Sequence, residues 1–130
     1  MERAGYKGLA VWRRSRRLAI EVYKLTARRE FQKDWGLRDQ MRRAAVSVPS
    51  NIAEGAARGF DRDSIRFFLY ARGSLAELAT QLDIAQAVGL SEPIPARVWM
   101  AECDELGAMV SALITERKKV LGEKVLGERY

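Results

Sequence analysis

The sequence predicts an all-α protein, an up-down-up-down four-helix bundle. Three observations carry this. Apolar residues recur at three- and four-residue spacing along most of the 130 residues. No apolar–polar alternation of the β type competes with that repeat anywhere. Short segments bearing glycine or proline separate the four repeats, where the chain must reverse. Four amphipathic helices joined by short loops bury their apolar stripes by packing side by side.

The first helix is expected from about Leu9 to Arg28. Val11, Ser15, Leu18, Val22 and Leu25 form its seam, widened by Trp12, Ala19, Tyr23 and Thr26. A loop of roughly ten residues follows, containing Phe31, Trp35 and Gly36. The second helix opens near Leu37, with Met41, Ala44, Val48, Ile52 and Gly55 on one face. Pro49 lies inside it and removes a backbone hydrogen bond, so a kink is expected there, with Ser47 and Ser50 placed to bond the freed groups. Residues 55–61 read as a break, with Gly59 as a C-cap candidate and Asp61 or Asp63 as N-cap of the third helix. Phe68, Ala71, Leu75, Leu78, Leu82 and Ala85 make the cleanest heptad, and Gly89 ends it in a left-handed conformation. The fourth helix runs from about Ala96 to Leu121, presenting Trp99, Cys103, Leu106, Val110, Leu113, Arg117 and Val120. One domain over residues 1–121 is therefore expected, with a frayed basic tail over 122–130. There the run Lys119–Glu123 repeats as Lys124–Glu128.

Composition removes much chemistry. There is no histidine, which excludes Ser-His-Asp and Cys-His nucleophiles, imidazole bases and His-ligated metals. Cys103 is the only cysteine, so no intrachain disulfide forms, as suits a reducing cytoplasm. No apolar run approaches the ~18 residues that span a bilayer, no signal peptide is visible, and no phosphate-binding glycine loop appears. We expect a cytoplasmic protein that is not an enzyme, with no catalytic residues, no metal and no cofactor.

The second helix carries a run of small residues with polar groups among them. Buried polar groups need partners, and the third helix offers Ser74, Glu77 and Gln81 in one line. We expect Ser47, Ser50, Asn51 and Glu54 to meet them, inside the bundle or between subunits, with Arg42 or Arg43 neutralising a carboxylate. Such a network sets register and partner choice more than stability. A Glu54–Glu77 acid–base pair and a small-ligand or ion site are the alternatives. Without histidine, and with arginine nearby, the structural network is favoured. Glu102, Asp104 and Glu105 read as a solvated acidic face, with a weak metal site as the minor alternative.

The run Arg42-Arg43-Ala44-Ala45-Val46-Ser47-Val48-Pro49-Ser50-Asn51-Ile52-Ala53-Glu54-Gly55 resembles the signature of the four-helix bundle proteins encoded by intervening sequences of bacterial 23S ribosomal RNA genes. Leu9-Ala10-Val11-Trp12, Val22-Tyr23-Lys24-Leu25-Thr26, Trp35-Gly36-Leu37 with Gln40, Gly73-Ser74-Leu75-Ala76-Glu77-Leu78 and Gln81-Leu82 extend the likeness over roughly residues 6–90. The resemblance implies a ring-like homopentamer. It also implies distant kinship with the accessory variability determinant of diversity-generating retroelements, a basic pentameric bundle that binds nucleic acid and a reverse transcriptase. Function does not travel with fold, so a reverse transcriptase partner is an analogy only.

Charge completes the reading. Residues 1–43 carry a net +8, residues 44–116 a net −5 and residues 117–130 a net +3. Arg13, Arg17, Lys24 and Arg28 form one stripe of the first helix, pointing away from its apolar seam. Arg14, Arg16 and Arg29 flank it, and Arg38 adds charge on the second helix. Arginine binds phosphate bidentately, so Arg13, Arg14, Arg16, Arg17, Lys24, Arg28 and Arg38 are candidates for sequence-tolerant contact with RNA or DNA. Phe31 and Trp35 are candidates for base stacking. The alternative is an interaction scaffold whose basic face docks an acidic partner or a neighbouring subunit.

Overall fold

A computed structural model describes the backbone of residues 5–58 and 61–129, and side chains as far as Lys124. Four α-helices account for most of it: α1 (Ala10–Thr26), α2 (Trp35–Ala57), α3 (Asp61–Ala87) and α4 (Pro93–Arg129). The described residues contain no strand. A 3-10 turn, Gly5–Gly8, precedes α1, and another, Arg29–Lys33, joins α1 to α2.

The predicted seams form the core. Leu18 and Val22 of α1, Met41, Val48 and Ile52 of α2, Phe68, Leu75, Leu78 and Leu82 of α3, and Leu106 and Val110 of α4 are all buried. Each such side chain contributes ~1.5–3 kcal/mol when fully buried. Helix α3 packs extensively on both α2 and α4. Helix α1 rests mainly on α2 and meets α4 along a thin seam.

Local chemistry fixes the ends. Asp34 caps α2, its Oδ1 accepting the Leu37 amide at 3.0 Å. Gly89 takes φ +83° and ends α3, while the Leu90 amide reaches back to the Ala85 carbonyl at 2.8 Å. Pro93 occupies the first position of α4, where its missing N–H costs nothing.

Several boundaries differ from expectation. Helix α2 starts at Trp35, helped by the Asp34 cap, and continues through Pro49 to Ala57. The serines do not serve the freed backbone: Ser47 turns its hydroxyl to Ser74, and Ser50 is exposed. Gly55 lies within α2, not in a break, and the C-cap candidate Gly59 falls outside the described residues. Asp61 is part of α3 and gives its carboxylate to α4. Helix α4 begins at Pro93 and overruns Leu121, continuing through Gly122 and Gly127 to Arg129, so the segment expected to fray has helical backbone. A helical glycine costs ~1 kcal/mol relative to alanine, too little to stop a helix already anchored upstream. Lys124 of that segment is tied to Asp61 at 2.7 Å.

Candidate nucleic-acid interface on the α1–α2 side

Helix α1 presents its cations because its other face is apolar. With Leu18, Val22 and Leu25 turned into the core, Arg13, Arg16, Arg17, Lys24 and Arg28 are left exposed. Arg16, Arg17, Arg28 and Arg29 have no carboxylate partner among the described residues. Among the described residues Arg13 donates only to the Lys7 carbonyl, at 3.2 Å. Lys24 lies 3.6 Å from Glu21 on its own helix, an exposed pair of small worth.

Two of the candidate cations are otherwise engaged. Arg14 crosses to α4, where it pairs with Glu102 and, at 3.0 Å, with Glu105. Its guanidinium holds the Glu105 carboxyl below the usual carboxylate range. Arg14 therefore closes the thin α1–α4 seam, and the acidic face expected around Glu102 and Glu105 is partly consumed by it. A hint was present in the sequence: Arg14 flanks the α1 seam, and Glu102 and Glu105 are one helical turn apart. Which helix lies beside α1 was not in the spacing. Arg38 lies over the Trp35 ring, 5.3 Å from its centroid, and pairs with Asp39 at 3.2 Å.

The two aromatic candidates separate. Phe31 is completely buried and Trp35 is exposed. A third aromatic on this side is Tyr23, 44% exposed, with the Arg42 guanidinium 4.5 Å from its ring centroid. Arg42 also donates through Nε to Thr26 Oγ1 at 2.8 Å, and it pairs with no carboxylate among the described residues. In the sequence Tyr23 only widens the apolar seam.

Within one chain the α2–α3 polar network is smaller than expected. Ser47 and Ser74 share a hydrogen bond of 2.8 Å, and Asn51 Nδ2 donates to both the hydroxyl and the carbonyl of Ser47. Glu54 pairs with Arg58, the residue just past the end of its own helix, and Glu77 accepts from Gln81 on α3 at 3.4 Å. Ser50, Glu54, Glu77 and Arg43 are exposed. The two glutamates are therefore not held inside the bundle, and nothing in the chain joins them as an acid–base pair. Gln81 Oε1 is buried without a partner.

No group of three or more acidic or cysteine side chains able to hold a metal occurs among the described residues. Cys103 is buried, and its thiol is pushed up to about 12, chiefly by desolvation and then by Asp104 and Glu102. A thiol so placed is inert at neutral pH. No described helix is long and apolar enough to cross a membrane.

Fold and surface together define an all-helical, four-helix protein with a cationic outer face on its first helix. The chain belongs to the 23S rRNA-intervening sequence protein family, whose model matches residues 7–112. Its structure is similar to the crystal structure of a protein of unknown function from the S23 ribosomal protein family of Bacteroides thetaiotaomicron VPI-5482. That likeness has a TM-score of 0.74 at 18% identity and covers 81% of this chain and 98% of the other. At that identity the likeness is one of fold. No curated protein matches the sequence.

Proposed function

We propose that this protein is a non-enzymatic, cytoplasmic accessory protein. It binds RNA or DNA without sequence preference through the outer face of α1. It works as an oligomer, an up-down-up-down bundle assembled into a ring-like homopentamer. The observation that carries the reading is the contrast within one helix. Arg14 is neutralised by two carboxylates of α4, whereas Arg16, Arg17 and Arg28 stand exposed with none among the described residues. Unpaired arginines aligned on a rigid helix offer bidentate donors to successive phosphates. A pentamer would raise the +6 of one chain to a field that attracts polyanions.

The competing reading is a scaffold whose basic face docks an acidic protein or a neighbouring subunit. Arg14 supports it, as an arginine of the same helix that takes two carboxylates in the α1–α4 seam.

A salt titration separates the two. Anisotropy of a labelled oligonucleotide should show affinity falling steeply with salt, by about 50-fold from 50 to 200 mM if roughly four phosphates are contacted. Arg13→Glu with Arg17→Glu should abolish most of that binding and leave the thermal midpoint within a few degrees. No binding at low salt, or binding indifferent to both salt and charge reversal, refutes the proposal.

A further inference from the structure

Between α1 and α2 lies a groove of about 410 Å³ with an almost wholly apolar lining, Ala19, Ile20, Tyr23, Val46 and Pro49, edged by Arg16 and Lys24. A second hollow of about 590 Å³ shares Tyr23 and Val46 with it and adds Arg42, Arg43, Asp39 and Ser47. The two run together along the seam. From Asp39 to Pro49 the helix rises ~15 Å. Ile20, Tyr23 and Val46 are each about two-fifths exposed, although the core-facing residues beside them, Ala19, Val22, Ala45 and Val48, are buried.

Such a trough has a hydrophobic floor in its first groove, edges that are cationic apart from Asp39, and one aromatic ring already stacked with an arginine. A duplex meets a protein through phosphates, with its bases turned inward. It would engage the edges and leave the floor wet. An unpaired strand presents base and sugar faces together with phosphates, so it can cover the floor while the edges hold its backbone. We propose that this trough is a binding site for unpaired nucleic acid, with Tyr23 as the stacking platform and Arg16, Lys24 and Arg43 holding the phosphates. The inference rests on the nucleic-acid reading above and narrows its ligand from any polyanion to single strands. The floor of the first groove, where the base would stack, offers almost no polar atom to a 2′-hydroxyl, so RNA and DNA strands should bind alike.

The test uses the full-length protein and an unstructured 20-nucleotide strand, as RNA and as DNA, with a duplex of the same sequence as control. Tyr23→Ala should weaken single-strand binding about tenfold or more and duplex binding less than twofold, while Tyr23→Phe stays near wild type. Val46→Glu, at an exposed position, puts a charge in the floor and should have the same selective effect. Circular dichroism melting and light scattering on each variant establish that fold and assembly are retained. The trough is overturned as the site if Tyr23→Ala and Val46→Glu leave single-strand affinity unchanged, or weaken strand and duplex equally. A smaller scattering mass for either variant overturns it too, because the trough is then a subunit contact. A strong preference for RNA over DNA, or the reverse, removes the apolar floor as the recognition element. These failures leave the salt dependence and the Arg13/Arg17 result intact. Failure of the broader reading would abolish those as well.

Discussion

Gly55 of α2 and Phe68 of α3 meet so closely that no side chain fits between them. A Cβ on Gly55 would stand 2.6 Å from Phe68 Cε1 and 3.1 Å from the Ser64 carbonyl oxygen. The Ser64 hydroxyl donates to the Gly55 carbonyl at 2.7 Å and holds the two backbones together. Gly55→Ala gains up to ~1 kcal/mol of helix propensity, but overpacking costs ~1–3 kcal/mol. We expect net destabilisation of ~1–2 kcal/mol in urea unfolding, recovered in part by Gly55→Ala combined with Phe68→Leu. An unchanged midpoint for the single variant would show that the ring yields at a cost no greater than the helix propensity gained.

The Ser47–Ser74 bond is the one polar link of the expected network that joins α2 to α3. Ser47→Ala removes a partner from both Ser74 and Asn51 and should cost ~1–2 kcal/mol. Ser47→Ala with Ser74→Ala should cost less than the two single changes added together, because no orphaned hydroxyl remains. A double-mutant cycle by denaturant unfolding measures this, and strict additivity would refute the coupling.

Asp61 ties the start of α3 to the far part of α4, beyond the segment matched by the family. Its side chain is only 6% exposed and faces Lys124 at 2.7 Å and Arg117 at 3.3 Å. The Lys124 hydrogen bond, with that of Arg117 and against the penalty of burial, holds the carboxyl below its usual range. The folded value is depressed, so the stabilisation is present above the unfolded value near ~4 and is lost as acid takes the pH down through the folded one. Asp61→Asn should therefore be less stable than wild type at pH 7, with the gap closing below about pH 4. Hydrogen exchange in α4 from 113 to 124 should quicken in the variant. A gap that is constant across pH would exclude the ion pairs as its source.

The helical seams were legible in the sequence because burial of one helix face imposes a 3.6-residue period on side-chain choice, whatever the neighbours are. The stop at Gly89 was legible because the left-handed conformation there selects glycine by local sterics alone. The fates of the charges were not legible. Arg14 and Arg17 belong to one cluster in the sequence, yet one faces two carboxylates and the other faces water. Glu54 and Glu77 fall in line with a polar seam, but among the described residues each bonds only a residue four positions further along, Arg58 and Gln81.

By itself the sequence determined four helices, their apolar faces, the cationic excess of α1 and the small-residue surface of α2. All of these follow from periodicity and composition, which are properties of one segment at a time. The tertiary structure decided which cations stay exposed, that Phe31 is buried and Trp35 is not, and that Ile20, Tyr23, Val46 and Pro49 line a trough. Those outcomes depend on pairs of residues far apart in the chain. A salt bridge or a groove exists only once two helices are set at one distance and rotation, and no single segment encodes that distance or rotation.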